Sequence, residues 1–323
     1  MKAVVYTEKG VTIQDVPKPQ IRPHEMLVKV RACGLIRVDI GMASGKVHAG
    51  TGGMGEILGR EWSGEVVEKG SAVEGFSIGD RVMSSGSGGW AEYVATDWRR
   101  AYPIPKTLDF IEGCALPVAL QTMHDAVVTH GRLQSGESIL IQGASSGVGL
   151  VALQLARLKG AKTIMGSSTN PAKRARLAEF GADVAIDSTA PSWSERVLAA
   201  TGGKGVDLIV DQVSGAMFAE VMKSAALEGR IVNVGRLGGK SAPFDFDLHA
   251  LKRLDYIGVT FRTRTPEEVG EVVRRAREDL LPHIEAKRLM MPVDKVFPFD
   301  EVQAALAYMG RDAHFGKIAL TLE

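Results

Sequence analysis

The sequence predicts an α/β protein in which a β-rich region is joined to a doubly wound parallel sheet. Two observations carry this reading. From residue 138 to about 259, short apolar runs alternate with helical patterns, the rhythm of successive βαβ units. Before about residue 118 the chain instead places short apolar runs between Gly and Pro, the pattern of short strands and irregular loops. A length of 323 residues allows about two domains at roughly 150 residues each.

In the first region, residues 1–6, 26–30 and 64–68 read as strands. Gly79-Asp80-Arg81-Val82 turns into another, and Gly86-Ser87-Gly88-Gly89-Trp90 is a loop near a cleft or a plain hairpin turn. An apolar helical stretch runs from Leu116 to Val128. Residues 138–142 form a buried strand, and 149–159 a helix buried over much of its surface, because apolar residues recur at 150, 151, 153, 155, 156 and 158. Strands follow at 163–165, 184–186, 206–211, 230–234 and 256–259, with a helix over 171–180 that carries Pro in its first turn. Helices over 266–286 and 299–309 and strands at 293–297 and 317–322 complete the chain. Pattern alone leaves open whether this tail adds to the sheet or returns to the first region.

Lys+Arg number 39 and Asp+Glu 38, so the formal charge is 39 − 38 = +1, without the basic face of a general nucleic-acid binder. The first apolar run stops at Tyr6, too short for a secretory signal, and no stretch reaches the roughly 20 apolar residues of a membrane span. A cytoplasmic location is the expectation. The two cysteines, Cys33 and Cys114, build neither a disulfide framework nor a four-cysteine zinc site.

The most specific local signal is Gln142-Gly143-Ala144-Ser145-Ser146-Gly147-Val148-Gly149, between an apolar strand and a helix. Small residues let backbone amides and the positive helix end approach a pyrophosphate, which selects Ser145, Ser146, Gly147 and Val148 as dinucleotide contacts. An NAD site places an acid at the end of the next strand. Here Gly166-Ser167-Ser168-Thr169-Asn170 has none, and Lys173 and Arg174 follow. Hydroxyls and two cations suit a 2′-phosphate, so Ser167, Ser168, Lys173 and Arg174 favour NADPH; the plainer alternative is a solvated helix face.

With Met1-Lys2-Ala3-Val4, Gly59-Arg60-Glu61-Trp62-Ser63-Gly64, Gly79-Asp80-Arg81-Val82, Gly89-Trp90-Ala91-Glu92-Tyr93-Val94 and His314-Phe315-Gly316-Lys317-Ile318, the chain resembles the medium-chain dehydrogenase/reductase superfamily, in particular its zinc-independent quinone oxidoreductases. The resemblance implies a GroES-like catalytic domain from residues 1–118 and 263–323 around a Rossmann domain of residues 119–262. Zinc-containing relatives hold metal where this chain has Ile36, Arg60 and Val118, and a proton-relaying hydroxyl where it has Val38. No metal is therefore expected. Asn and Tyr, common in the quinone reductases at the places of Ile36 and Gly41, are absent as well.

The resemblance further implies cofactor contacts from Arg37, Thr122, Val213, Val234, Gly235 and Phe261. The segment 258–264 is expected to be the strand that pairs across a homodimer. Asp39, Arg60 and Tyr93 are the candidate catalytic groups; Arg37, His48 and His124 are further polar candidates near the presumed cleft. The expected activity is hydride transfer from NADPH to a small-molecule quinone or enone. The alternatives are a carbonyl/alcohol dehydrogenase acting on aldehydes or alcohols, and a low-turnover NADPH-binding protein.

Overall fold

The computed structural model describes residues 1–48 and 50–322. The chain divides into two compact units: unit 1 is Met1–Gln121 with Phe261–Glu323, and unit 2 is Thr122–Thr260.

Unit 1 opens with a hairpin, β1 (Lys2–Thr7) and β2 (Gly10–Asp15), paired antiparallel. β3 (Glu25–Gly34) alternates buried and half-buried residues along its middle, as a strand with one covered face does. After α1 (Arg37–Met42) come β4 (Glu61–Lys69), β5 (Arg81–Ser85), β6 (Tyr93–Asp97) and β7 (Ala101–Pro103), then α2 (Phe110–Cys114) and α3 (Pro117–Met123). A π-helical turn, His124–His130, continues α3 where one apolar helix is expected.

Unit 2 alternates β8 (Ser138–Ile141), α4 (Gly147–Leu158), β9 (Thr163–Ser168), α5 (Pro171–Ala175), β10 (Val184–Asp187), α6 (Trp193–Ala200), β11 (Val206–Asp211), α7 (Phe218–Ser224), β12 (Ala225–Asn233), α8 (Phe246–Lys252) and β13 (Asp255–Gly258). Its six strands run parallel in the order β10-β9-β8-β11-β12-β13, a Rossmann-like sheet whose order reverses at β8. Leu140, Met165, Ile209 and Ile231 pack in one of its cores, all at most 1% exposed. The helix expected over 171–180 is shorter, because α5 ends at Ala175 and a separate 3₁₀ turn, Leu177–Phe180, follows and closes on Gly181 at φ +99°.

The chain then returns to unit 1. α9 (Pro266–Glu285) begins with a capping box, Thr265 Oγ1 accepting from Glu268 N while Glu268 accepts from Thr265 N, and turns Val269, Val273, Ala276 and Leu280 inward. β14 (Val293–Pro298), α10 (Val302–Gly310) and β15 (Lys317–Thr321) follow. β15 lies between β14 and β3 in the sheet β14-β15-β3-β4-β5-β7, with β6 on β3 beside it. Val28, Trp62, Val82, Trp90 and Ile318 form its core. No described helix is long and apolar enough to cross a membrane.

Candidate active site

In unit 2 the cradle begins where β8 ends. Gly143 sits at φ +70°, a conformation that favours glycine, and turns the chain toward α4. Ser146 caps that helix, its Oγ accepting from Gly149 N at 3.1 Å and donating to Gly143 O at 2.9 Å. A Cβ at Gly149 would lie 2.6 Å from Ala144 Cα, so glycine alone permits this approach of helix to turn. Gly147 and Val148 open α4, where the helix dipole is positive.

The turn is bound to the end of β9. Ser145 Oγ and Ser168 Oγ are 2.9 Å apart, Ser167 Oγ accepts from Gly143 N at 3.2 Å, and Ser167 Oγ donates to Gln142 Oε1. Gln142 Nε2 is buried without a hydrogen-bond partner among the described residues. Lys173 lies in the first turn of α5 and is 8% exposed. Arg174 differs from the open cation expected: Nη1 donates to Ser168 O at 2.9 Å and Nη2 pairs with Asp187 at 2.8 Å, so a carboxylate one strand away answers its charge.

Asp211 Oδ1 accepts from Val213 N at 2.9 Å and Ser214 N at 2.8 Å, Val234 N donates to Asp211 O at 2.8 Å, and a Cβ at Gly235 would meet Gln212 O at 2.4 Å. The loops carrying Val213, Val234 and Gly235 are thereby locked side by side at the carboxyl ends of β11 and β12. Thr122 opens unit 2 within α3. Phe261 belongs to unit 1, with the Arg264 guanidinium 5.0 Å from its ring centre. Within the chain the strand expected over 258–264 is paired as far as Gly258, where β13 ends, and Val259 N still donates to Asn233 O.

In unit 1, Arg60 precedes β4 and donates from Nη1 to Thr51 Oγ1 at 2.8 Å and Ser87 Oγ at 2.9 Å. Its Nε and Nη2 have no acceptor among the described residues. Asp39, in the first turn of α1, is wholly buried; Oδ2 accepts from Ile36 N at 2.8 Å and Oδ1 has no hydrogen-bond partner among the described residues. Burial pushes its carboxyl up to about 7, with the Glu61 charge adding to the rise and the Ile36 amide, Lys317 and Arg60 opposing it.

Two residues not singled out from sequence meet beside Asp39. Lys317 Nζ donates to Glu61 Oε1, and both side chains are buried, at 4% and 0% exposure. Glu61 Oε2 also accepts from Val118 N at 3.2 Å. The available signal was two charges set in strands, in Arg60-Glu61-Trp62 and Gly316-Lys317-Ile318.

Tyr93 is not brought to this cluster. It opposes Lys29 in β3 whereas Glu61 opposes Gly34, 34 − 29 = 5 residues on, or about 16 Å along the strand. Lys18 Nζ lies 4.3 Å over its ring instead. Arg37 pairs with Asp312 at 2.5 Å, both exposed. His48 is held below its ordinary value, first by burial and then by the charges of Arg60 and Arg262. His124 is buried in the π-helical turn of unit 2.

Residues 22–106 match the family model described as "Alcohol dehydrogenase GroES-like domain", and residues 147–278 the one described as "Zinc-binding dehydrogenase". "Quinone oxidoreductase-like protein 2" of Bos taurus is 30% identical over 319 residues, 98% of this chain and 90% of that protein. The chain is a medium-chain dehydrogenase/reductase. Among relatives of this dehydrogenase/reductase, the quinone oxidoreductase of Rattus norvegicus is 32% identical over 257 residues, 79% of this chain and 77% of that protein. Mycobacterial Rv1454c, solved complexed with NADPH, shares the fold at a TM-score of 0.88 and 24% identity, covering 99% and 100% of the two chains.

The donor set of this medium-chain dehydrogenase/reductase does not fit zinc. Ile36 and Val118 offer no ligating atom and Arg60 brings a cation. Cys33 donates from Sγ to Gly89 O at 3.2 Å, and burial first, then the Asp39 charge, hold its thiol well above its ordinary value, whereas zinc takes a thiolate. Among the described residues no three His, Cys, Asp or Glu side chains gather as a ligand set. A dinucleotide does fit, because a turn of small residues leads into the positive end of α4 and the buried Gln142 Nε2 at its base is a donor without a partner among the described residues.

Asp39 gives this dehydrogenase/reductase a pH signature. Its carboxyl ionises near 3.8 in an unfolded chain and near 7 in the folded one. Between those values the unfolded chain has lost a proton that the folded chain keeps, so this residue's contribution to stability falls as pH rises through the window and is flat outside it. Asp39→Asn keeps an acceptor for Ile36 N and removes the slope. Urea midpoints at about pH 4.5 and 7.5 should lie closer together in the variant than in the parent; an unaltered gap would refute the assignment.

Proposed function

We propose that the chain is an NADPH-dependent, zinc-free reductase of quinones or other α,β-unsaturated carbonyl compounds. The observation that carries this reading is Arg60, whose open Nε–Nη2 edge stands where a metal-dependent relative keeps a zinc ligand. NADPH, when bound, supplies hydride. Ser145, Ser146, Gly147 and Val148 would hold its pyrophosphate, with Ser167, Ser168 and Lys173 at the 2′-phosphate and the loops of Val213, Val234 and Gly235 at the riboses.

The acceptor's β-carbon takes the hydride, its C=C π pair shifts to join the α- and carbonyl carbons, the C=O π pair moves onto oxygen to give the enolate, and a proton from water reaches the α-carbon. Arg60 is the catalytic donor to that oxygen, where a charge-assisted hydrogen bond strengthens as charge develops. Asp39 has no exposed atom and acts through the charge of Arg60, as a positioning residue. The outer edge of β13, unpaired among the described residues, supports a homodimer, and the compartment proposed is the cytoplasm.

The test is oxidation of NADPH, with NADH in parallel, against benzoquinones, cyclic enones and simple aldehydes, with and without chelator, alongside the sedimentation mass. Chelator-insensitive, NADPH-preferring turnover of quinones or enones by a species of twice 34.6 kDa is expected. Turnover confined to aldehydes, or lost to chelator, would refute the zinc-free reductase; NADPH binding without turnover would make the chain a nucleotide-binding protein.

A further inference from the structure

We infer that the acceptor carries an ionised carboxylate in addition to its conjugated carbonyl, an inference that rests on the reductase reading above. The charges on one segment of unit 1 do not balance. Arg60 and Arg100 converge on one short segment: Arg100 Nε donates to Ser85 O at 3.0 Å, Arg60 Nη1 to Ser87 Oγ at 2.9 Å, and Gly86 N to Arg60 O at 2.9 Å. These acceptors are neutral, and among the described residues neither guanidinium has a carboxylate within ion-pair distance.

Several other half-buried arginines carry a carboxylate, while Arg81 is answered instead by Leu108 O and the face of the Phe110 ring. Arg31 meets Glu65 at 2.8 Å, Arg99 meets Asp97 at 2.6 Å and Arg230 meets Glu137 at 2.5 Å. A partly desolvated guanidinium without a counter-ion is unfavourable, and here two stand within each other's field. Burial and then the Arg60 charge hold Arg100 below its ordinary value. Asp39 is the acid whose charge reaches Arg60, and Asp97, the acid near Arg100, is already bound to Arg99.

Hydride addition to a neutral quinone or enone places one negative charge on one oxygen, and the open edge of Arg60 answers it. The charge of Arg100 remains. A group that is anionic before reaction answers it, and one guanidinium matches the single charge and two coplanar oxygens of a carboxylate better than the nearly doubled charge of a phosphate monoester. The site thus selects conjugated keto acids over their uncharged analogues, with Arg100 governing binding and Arg60 the developing charge.

The experiment compares 4-oxopent-2-enoate with its methyl ester, the same conjugated ketone with and without the charge, using NADPH and the full chain. The acid should show kcat/KM about tenfold or more above the ester, chiefly through KM, and the ratio should fall as NaCl is raised. Arg100→Gln should collapse the ratio. Should that variant not fold, competition decides in the unmodified protein: benzoate should compete with the acid more strongly than inorganic phosphate does. An ester reduced as well as the acid, or phosphate as the stronger competitor, would overturn the carboxylate while leaving the reductase intact. Failure of NADPH to reduce either compound would overturn the reductase reading itself.

Discussion

Replacing Lys317 with Met is expected to cost about 3–5 kcal/mol of stability, because it leaves the buried Glu61 carboxyl without its counter-ion, to stand alone or take up a proton. Even with Lys317 present, burial outweighs every favourable contact and holds the Glu61 carboxyl above its ordinary range. The pair's contacts therefore fall short of its desolvation, and removing one member deepens the deficit. Glu61→Gln made together with Lys317→Met should recover most of the loss, since the amide oxygen still accepts from Val118 N and no buried charge remains. Calorimetric melting of the two variants decides this: a double variant no more stable than Lys317→Met would show that packing, and not the stranded charge, sets the cost.

Lys173→Glu is expected to weaken NADPH by roughly 100-fold, a loss of about 2.7 kcal/mol, while changing NADH by no more than about threefold. The reasoning is that the variant reverses a charge assigned to the 2′-phosphate, a group that NADH lacks. Arg174 does not compensate, because Asp187 and the Ser168 carbonyl already hold it. Titration of cofactor fluorescence measures both affinities, and equal losses would refute the placement. Lys173 is largely buried, so a melting curve near that of the parent must accompany the binding data.

What the sequence made legible was local. The turn from Gln142 to Gly149 announces itself because strand, small residues and helix follow one another within a dozen positions, and the chemistry of a phosphate site is written in that order. The alternation that follows it identifies the parallel sheet, and the Pro-led run at 266–286 identifies α9 nearly to its ends. The helix expected over 171–180 outruns α5 because helical periodicity persists through a 3₁₀ turn, and Leu177 is buried in either geometry.

The unit 1 site was far less legible. Glu61 and Lys317 are 317 − 61 = 256 residues apart, and nothing in either neighbourhood announces the other. Tyr93 belongs to a motif that fits the family, but which end of β3 it faces depends on register, which a motif does not encode. Arg100 sits in Trp98-Arg99-Arg100, where nothing in the sequence separates the two arginines; in the fold Asp97 claims Arg99, and Arg100 donates to Ser85 O instead.

The position of β15 between β14 and β3 has a consequence for biosynthesis. A ribosome adds residues in order, so a nascent chain that has emerged through residue 260 already holds every strand of the parallel sheet. The stretch that precedes this sheet is still unfinished at that moment: β3 is open at Ala32–Gly34 and Glu61 is without Lys317 until β15 arrives. The segment synthesised earliest thus completes its fold last, and must be kept from aggregating while the middle of the chain has already settled.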